Sequence, residues 1–268
     1  MKIIIAGCDG RLGFALLQYA FKEQLAGRCQ LVGGTVKSNS PNHGKELSAI
    51  ASMSTKGSGL KATSDIESII SQTDAIIDFS TPIYSLIISD HCTKHGIIHI
   101  CGTTGFNKSQ LEQLNTQATC YPLFYSVNMS FGVTLIAKMV TELAAKLTTE
   151  LYDSDILDIH HKHKIDAPSG TALMLAEMIA QGYGITPSIY SALDSKESRK
   201  TGDIGISSIR TGKTLGSHEI TFASEGETIK MVQQTHNLNV YCHGAFSACY
   251  WMRDKPKGRI YSMFDLLN

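Results

Sequence analysis

The segment KIIIAGCDGRLGF, residues 2–14, indicates a short strand, a glycine-rich turn and the start of a helix. Ile3 to Ala6 is entirely apolar, which is typical of a strand buried on both faces, and helical spacing of apolar residues continues from Leu12 to Leu25. Cys29 to Thr35 is a second apolar run. A strand, a helix and a second strand in this order predict a βαβ unit and the beginning of a parallel sheet.

The turn contains three glycines, Gly7, Gly10 and Gly13, with the spacing GxxGxxG. In this position glycines allow backbone amides to approach a pyrophosphate at the N-terminus of the following helix. The spacing differs from the stricter GxGxxG, and the alternative is a purely structural turn. The location directly after the first strand favours dinucleotide binding.

The alternation of strands and helices continues along the first half of the chain. Residues 38–59 are polar and glycine-rich, so we expect a long excursion without regular elements there. The pattern then predicts strands at Ala75–Phe79, Ile97–Ile100 and Tyr121–Tyr125, and helices at Ile83–Lys94 and Lys108–Gln117. This recurrence predicts a Rossmann-type, doubly wound parallel sheet.

The pattern changes after residue 129 and indicates a second, α+β domain. Three strands follow one another there without intervening helices, which favours a mostly antiparallel sheet. The predicted elements are helices at Val133–Thr148, from Gly170 onward and at Gly244–Met252, and strands at Ile156–His160, Ile204–Ile209, His218–Ala223 and Thr228–Gln234. We expect domains at residues 1–128 and 129–240, with residues 241–268 returning to the first.

Composition excludes several broad classes. Among 268 residues, 24 basic and 24 acidic side chains cancel, so no overall charge favours nucleic acid or a membrane surface as a partner. No apolar run approaches the roughly 18 residues of a membrane-spanning helix, and the apolar start of the chain enters the turn without an export signal. The seven cysteines lack CxxC spacing, which favours reduced thiols in the cytoplasm.

The end of the second predicted strand bears on the choice of cofactor. An acidic residue that would bind the ribose hydroxyls is missing there, because the sequence is Thr35-Val36-Lys37-Ser38-Asn39. Lys37 stands where it could meet a 2′-phosphate, so we expect NADPH to be preferred over NADH. The alternative is that Lys37 is a solvated lysine at a strand end.

Two further segments follow predicted parallel strands and could bind a ligand. They are Gly102-Thr103-Thr104-Gly105 and Asp78-Phe79-Ser80-Thr81-Pro82. Ligands of such folds bind at the carboxyl edge of the sheet, but Ser, Thr and Pro are also frequent at helix N-termini. Both interpretations remain open from the sequence.

The most chemically informative segment is His160-His161-Lys162-His163-Lys164, followed by Asp166-Ala167-Pro168-Ser169-Gly170-Thr171. Imidazoles transfer protons near neutral pH, and ammonium groups with the amides of a helix start attract carboxylates. In a continuing strand His160 and His161 would point to opposite faces, so we expect different roles for them. The alternatives are a solvated basic loop and a metal site, but Lys162 and Lys164 repel a cation and no HExxH motif is present. We therefore expect no metal there.

Taken together, these motifs resemble the dihydrodipicolinate reductase family. The resemblance covers nearly the whole chain, and its most specific part is the string HHxHKxDAPSGTA. The segments that carry it are Gly7–Gly13, Asp78–Ser80, Gly102–Phe106, Asn128–Ser130 and His160–Ala172.

The resemblance implies a Rossmann cofactor domain, a substrate-binding domain that also forms a homotetramer, and reduction of a cyclic unsaturated dicarboxylate by NAD(P)H. That reaction belongs to the diaminopimelate route of lysine biosynthesis. By residue match, His160 and Lys164 are the acid/base and the proton donor, and His161, Gly170 and Thr171 contact the substrate carboxylates. The matched cofactor contacts are Gly7, Cys8, Asp9, Gly10, Arg11, Leu12, Gly102, Thr103, Thr104, Ser126, Val127, Asn128 and Met129.

The chain departs from the family pattern at Thr81, where some members have an arginine near the 2′-phosphate, and in the shorter segment between Thr235 and Gly244.

Two other functions are the alternatives to this reductase. Another nicotinamide-dependent reductase, such as a semialdehyde or homoserine dehydrogenase, needs a nucleophilic cysteine or a different lysine and acid pair. A nucleotide-sensing regulator that binds without turnover needs a basic DNA-reading helix or a partner surface.

Overall fold

The glycine-rich turn joins β1 (Lys2–Ala6) to α1 (Arg11–Leu25) in the computed structural model, which describes residues 1–53, 59–191 and 197–268. The chain forms two compact units, residues 1–130 with 238–268 and residues 131–237. We call them the first unit and the second unit. No helix in the described ranges is long and apolar enough to cross a membrane.

The first unit is built around a parallel sheet. Its described part contains seven strands in the order β12-β6-β5-β4-β1-β2-β3. After β1 these are β2 (Gln30–Thr35), β3 (Ala62–Thr63), β4 (Ala75–Asp78), β5 (Ile98–Cys101), β6 (Leu123–Tyr125) and β12 (Ile260–Tyr261). The apolar residues of β1 are fully buried, as expected for a strand with helices on both faces of its sheet. The predicted Rossmann-type fold is confirmed.

The helices of the first unit connect these strands. They are α2 (Leu47–Ile50), α3 (Glu67–Ile70), α4 (Pro82–His95), α5 (Lys108–Gln117), α8 (Asn239–Trp251), a 3₁₀ helix (Met252–Asp254) and α9 (Met263–Leu266). Because α4 starts at the carboxyl end of β4 and returns to the start of β5, its two ends lie at opposite edges of the sheet.

The second unit packs helices against a mixed sheet. Its elements are α6 (Phe131–Ala144), β7 (Asp153–His160), α7 (Gly170–Tyr183), β8 (Ile189–Tyr190), β9 (Ile204–Arg210), β10 (Ser217–Ala223) and β11 (Thr228–Gln234). In the described part the strand order is β11-β10-β7-β9-β8. β10 is antiparallel to β7 and β11, whereas β9 is parallel to β7 and β8. The predicted α+β second domain is therefore present, and its parallel pairing arises because α7 carries the chain from β7 back to the same sheet edge.

Several boundaries differ from the sequence expectation. The first helix of the second unit ends at Ala144 rather than Thr148, where the amides of Lys146 and Leu147 both donate to the Leu143 carbonyl oxygen and form a turn. The tail helix begins at Asn239, before the expected Gly244. The polar excursion at 38–59 contains α2, whose Leu47 is fully buried, while residues 54–58 lie outside the described part.

Candidate active site

The turn after β1 has the geometry expected of a phosphate-binding turn. Gly7 has φ +63°, a left-handed conformation that favours glycine, and a Cβ at Gly13 would clash with the Gly7 carbonyl group. Gly10 is the N-cap of α1 and no described side chain caps this helix, so the positive end of its dipole is available to an anion. These residues therefore fit the pyrophosphate of a dinucleotide.

Other residues of the predicted cofactor loop are held by internal contacts. The backbone amide of Cys8 donates to the Thr35 carbonyl oxygen at 2.8 Å, and burial raises the pKa of the Cys8 thiol to about 12. Oδ2 of Asp9 accepts a hydrogen bond from Ser40 Oγ at 2.5 Å. Arg11 is exposed and Leu12 half-buried in the first turn of α1. The turn is thus fixed to the end of β2 and to the segment that follows it.

Lys37 is exposed two residues after β2. The Asp9–Ser40 hydrogen bond brings the loop containing Lys37 next to the glycine-rich turn. Thr81 is the N-cap of α4, at the carboxyl edge of the same sheet. These positions are compatible with contact to the adenosine ribose, where NADH and NADPH differ.

A fully buried carboxylate supports this edge of the sheet. Asp78 ends β4 and accepts hydrogen bonds from Ser80 and Ser85, both at 2.5 Å through their hydroxyls. His99 Nε2 lies 3.1 Å from Asp78 Oδ2, and both side chains have no exposed surface. Burial alone would raise the pKa of Asp78, but His99 and the serine hydroxyls outweigh burial and lower it. We call Asp78, Ser80, Ser85, His99 and Thr103 the Asp78 network.

The predicted contacts at 102–104 and 126–129 lie at the ends of neighbouring strands. Gly102 follows β5 and packs so closely against Phe79 that a Cβ would clash with its ring. The hydroxyl of Thr103 is turned inward, accepting from the Ser80 amide at 3.0 Å, whereas Thr104 is exposed.

After β6, Ser126 Oγ donates to the Asn128 carbonyl oxygen at 2.7 Å, and Val127 is exposed. Asn128 Oδ1 accepts from the Ser130 amide, and Met129 is fully buried. A contact between Met129 and a cofactor would therefore involve its backbone.

In the second unit, His160 ends β7 and pairs with a second buried carboxylate. Asp158 and His160 are two residues apart on the strand, so both point to the same buried face. His160 Nδ1 lies 2.8 Å from Asp158 Oδ1, and the His160 side chain keeps 10% of its surface exposed while Asp158 keeps none. Gly216 faces the other side of this imidazole: a Cβ there would lie 3.1 Å from Nε2.

Neighbouring strands complete the surroundings of Asp158. Across the sheet, β10 places His218 opposite Asp158, and β9 places Ser208 opposite it. Arg210 Nη2 and the Ser169 amide each lie 2.9 Å from Oδ2, Ser208 Oγ lies 3.2 Å from the same oxygen, and His218 Nε2 is 3.4 Å from Oδ1. We call Asp158, His160, Ser169, Ser208, Arg210 and His218 the Asp158 network.

The protonation of Asp158 follows from these contacts. Burial alone would raise its pKa, but hydrogen bonds from His160, His218 and Ser169 outweigh burial and hold the pKa far below the ordinary value. Because an ionised carboxylate only accepts, the 2.8 Å contact favours the tautomer of His160 with its proton on Nδ1, although its geometry is not that of a direct hydrogen bond. Nε2, beside Gly216, is then the atom that can exchange a proton with a substrate.

The loop after β7 carries the remaining cationic groups. The ring centroids of His161 and His163 are 6.3 Å apart, and His161 is half-buried while His163 is exposed. Lys164 Nζ lies 2.9 Å from Asp166 Oδ1, and Arg210 also donates to the Asp166 carbonyl oxygen at 2.6 Å. Because Asp166 is largely exposed, a substrate carboxylate could replace its side chain beside Lys164.

The start of α7 lies at the end of this loop. Ser169 is the N-cap and accepts a hydrogen bond from the Ala172 amide at 3.2 Å. A Cβ added at Gly170 would meet no described heavy atom within 4 Å, and Thr171 is largely buried next to it. The open space at Gly170 lies at a helix N-terminus, where a carboxylate could bind.

Asp158, Arg210 and His218 were missed by the sequence analysis. Asp158 could have been found, because a carboxylate two residues before His160 on a strand shares its face. Arg210 and His218 lie more than 50 residues after it in the chain, and only the register of β7 with β9 and β10 brings them together. Asp158, His160 and His218 also form a group of potential metal ligands, but the guanidinium of Arg210 already occupies the carboxylate.

The chain matches known proteins along almost its whole length. The family model described as dihydrodipicolinate reductase, N-terminus, matches residues 1–129, and the one described as dihydrodipicolinate reductase, C-terminus, matches residues 132–267. The chain is 36% identical to the 4-hydroxy-tetrahydrodipicolinate reductase of Parvibaculum lavamentivorans over 270 residues, covering 100% of this chain and 97% of that protein. The protein of the same name from Bartonella bacilliformis is 34% identical, with 100% and 98% covered.

Solved structures share the fold. Dipicolinate-bound dihydrodipicolinate reductase from Paenisporosarcina sp. TG-14 superimposes with a TM-score of 0.71 at 22% identity, covering 98% of this chain and 97% of that one. An amine dehydrogenase from Mycobacterium smegmatis has a TM-score of 0.66 at 11% identity, covering 99% and 95%. Both family models and the full-length relatives agree, and the chain belongs to the dihydrodipicolinate reductase family.

Proposed function

We propose that this protein reduces 4-hydroxy-tetrahydrodipicolinate, by way of dihydrodipicolinate, to tetrahydrodipicolinate in the diaminopimelate route of lysine biosynthesis. The relatives that match its full length carry the name of this reductase. The observation that carries the chemical part of the proposal is the 2.8 Å contact between buried Asp158 and His160. In our proposal this contact orients the imidazole and leaves Nε2 to the substrate.

Loss of the 4-hydroxyl group with a neighbouring proton, as water, gives dihydrodipicolinate, and the reduction then adds a hydride and a proton across one double bond of its ring. A reduced nicotinamide supplies the hydride when bound. The addition leaves an electron-rich, enamine-like carbon, which a positioned acid must protonate. In our proposal His160 Nε2 and Lys164 Nζ move this proton, and Asp158 stabilises the imidazolium form of His160 through Nδ1.

The carboxylates of the substrate require a cationic, donor-rich seat. Lys164, which pairs with exposed Asp166 at 2.9 Å, can exchange that partner for a substrate carboxylate. Gly170 and Thr171 offer the N-terminal turn of α7, and half-buried His161 a further donor. We propose these residues, together with Lys164, as the substrate contacts.

We propose that the first unit holds the nicotinamide cofactor. The turn from Gly7 to Leu12 and the segments Gly102–Thr104 and Ser126–Met129 would contact it at the carboxyl edge of the parallel sheet. Exposed Lys37 would favour NADPH over NADH through the 2′-phosphate. NADPH is thus the proposed preference, with NADH as the alternative.

We also propose that the protein is a cytoplasmic homotetramer, assembled through the second unit. On the sheet face opposite the buried side of β7, apolar side chains remain exposed, including Ile209 at 43% and Val232 at 58%. Glu219 and Lys230 lie on the same face, and exposed apolar side chains rimmed by polar residues are typical of an interface. Six of the seven cysteines are buried free thiols, which suits a reducing compartment.

The direct test is oxidation of NADPH and NADH, followed by absorbance, with freshly generated dihydrodipicolinate. We expect saturable, enzyme-dependent oxidation with tetrahydrodipicolinate as the product. Cofactor binding without turnover would contradict the proposal and favour a nucleotide-sensing regulator. Light scattering of the same sample tests the assembly, since a tetramer has four times the 29.1 kDa of the chain.

A further inference from the structure

Away from the proposed active site, the first unit carries a second group of histidines. His91 and His95 are four residues apart on α4, so their side chains share one face of the helix. Glu67, the first residue of α3, lies beside them. We call Glu67, His91 and His95 the His91 cluster. Sequence patterns do not reveal it, because 24 residues separate the glutamate from the first histidine.

The side-chain atoms of the cluster are not all satisfied by hydrogen bonds. His91 Nδ1 lies 2.6 Å from Glu67 Oε2, yet this buried nitrogen has no hydrogen-bond partner of acceptable geometry in the described ranges. His95 Nε2 lies 3.6 Å from Glu67 Oε1, which is too long for a direct hydrogen bond. Both imidazoles thus lie within ion-pair distance of Glu67, but without a full set of direct hydrogen bonds.

The 3.6 Å separation of His95 and Glu67 suits ligands that share a cation, whereas His91 Nδ1 and Glu67 Oε2, at 2.6 Å, would have to move about 0.8 Å apart to bind the same ion. Two ligand atoms in a tetrahedral zinc site are about 3.4 Å apart, since Zn–N and Zn–O bonds are about 2.0–2.2 Å. In the His91 cluster the ligand atoms of the three residues all lie within 4.8 Å of one another. Two imidazole nitrogens and one carboxylate oxygen are also a donor set that divalent transition metals prefer.

Charge distinguishes this cluster from the other groups of potential ligands in the described part of the chain. Arg210 neutralises the carboxylate of Asp158, and the carboxylate of Asp78 accepts hydrogen bonds from Ser80 and Ser85. Glu67 forms no ion pair with a lysine or arginine among the described residues, and its side chain is 56% exposed. A cation can therefore enter from solvent and gain the full charge of this carboxylate.

We propose that Glu67, His91 and His95 bind one divalent transition-metal ion, with Zn²⁺ as the reference ion and water as the remaining ligand. The ion would tie α3 to the last turns of α4. A four-residue helix such as α3 is not stable by itself, so a cross-link to a longer helix would stabilise this part of the unit. His95 lies at the end of α4, at the sheet edge opposite the glycine-rich turn, so the site is separate from cofactor binding.

The test is titration of the untagged, metal-stripped full chain with Zn²⁺ in competition with a chromophoric chelator. We expect one tight Zn²⁺ per chain and at least about a tenfold loss of affinity in His91→Gln and in His95→Gln. The matched control is His43→Gln, which removes an exposed histidine of the same unit whose Nε2 lies 3.2 Å from the Ser64 hydroxyl. This control should bind Zn²⁺ like the unchanged protein.

A second readout identifies the ligand type. Co²⁺ in place of Zn²⁺ should give d–d absorption without a thiolate charge-transfer band, and Cys120→Ser should leave the spectrum unchanged, since Cys120 is the exposed cysteine. Should a histidine variant fail to fold, exposed Glu67→Gln provides the same test with little effect on packing. Equal Zn²⁺ affinity in the unchanged protein and in Glu67→Gln or His95→Gln, or a thiolate band that disappears in Cys120→Ser, would overturn the proposal.

Discussion

The Asp78 network of the first unit and the Asp158 network of the second unit use the same chemistry for different ends. Each has a carboxylate with no exposed surface near the carboxyl end of a strand, a histidine beside it and serine hydroxyls as further donors. In each, interactions with these donors hold the pKa of the carboxyl below its ordinary value despite burial. The two networks differ in the solvent exposure of their histidines.

His99 is completely buried, whereas His160 keeps 10% of its side chain exposed and has Nε2 beside Gly216. The Asp78 network can therefore only hold β4, β5 and the following segments in place. In our proposal the Asp158 network passes the effect of a buried charge to an imidazole that contacts the substrate. A buried carboxylate and histidine pair thus indicates catalysis only where the second ring nitrogen has access to a ligand.

The strongest way to break this comparison is to replace each histidine by glutamine. We expect His160→Gln to lower kcat by about 10²- to 10⁴-fold with a small change in KM, because an acid/base group is lost. His99→Gln should leave kcat per folded molecule nearly unchanged and lower the stability. Steady-state kinetics with thermal unfolding of both variants measures the difference, and an unchanged kcat in His160→Gln would remove His160 from the mechanism.

The next test concerns Asp158 as a positioning residue. Asp158→Asn would place an amide that can donate beside His160 Nδ1, favouring the tautomer with the proton on Nε2. We expect kcat to fall by about 10²-fold with little effect on KM, and Asp158→Glu to recover part of it. Kinetics across a range of pH values should show an altered profile for the Asn variant. A loss confined to KM would indicate substrate binding instead of positioning.

Lys164→Ala tests the cationic loop after β7, which has no counterpart around Asp78. Lys164 is proposed both to bind a carboxylate and to donate a proton, so we expect kcat to fall and KM to rise, with kcat/KM reduced by about 10- to 100-fold. Initial rates over a range of substrate concentrations separate the two effects. Lys162→Ala, at an exposed position of the same loop, is the matched control and should have a much smaller effect.

Acid unfolding sharpens the comparison of the two carboxylates. Each pKa is lower in the folded protein than the ordinary value of about 3.9, so each ionised carboxylate stabilises the fold above that value and loses this contribution as the pH falls. Asp78→Asn and Asp158→Asn should each lower stability at pH 7 by about 3–5 kcal/mol and flatten its dependence on pH in the acid range.

The larger loss is expected for Asp158→Asn, because Arg210 would remain buried without its charged partner. Urea unfolding at several pH values measures this. Fluorescence of Trp251, the single tryptophan, reports the first unit, and far-ultraviolet circular dichroism reports both. An unchanged acid dependence in both variants would show that these carboxylates do not control acid stability.

The extent to which the sequence predicted these features follows the range of the interactions. The helix predicted at Lys108–Gln117 has these bounds in the structure as α5, whose start is fixed by a local capping box of Asn107 and Gln110. The two-residue strands β3, β8 and β12 were missed, since they exist only through pairing with a neighbouring strand. The segment His160–Lys164 could likewise be recognised from the sequence, because its residues are adjacent.

The residues that surround this segment in the fold could not be predicted from the sequence. His218 and Arg210 reach Asp158 through strand register, which no local pattern encodes. His99 reaches Asp78 in the same way, across the β4–β5 pair. Local chemistry could thus be read from the sequence, whereas the surroundings that separate a structural histidine from a reactive one depend on the tertiary fold.

The smallest effect is expected at Lys37, which sharpens the division of roles between the units. Lys37→Glu should shift the ratio of kcat/KM for NADPH to that for NADH by about tenfold towards NADH, because a carboxylate repels the 2′-phosphate and can accept from a ribose hydroxyl. The pH dependence should stay the same, since proton transfer is assigned to the second unit. Lys45→Glu, an exposed change of equal charge that removes a hydrogen bond to Asn42, is the control for long-range electrostatics. An equal shift in both variants, or none in Lys37→Glu, would show that Lys37 does not select the cofactor.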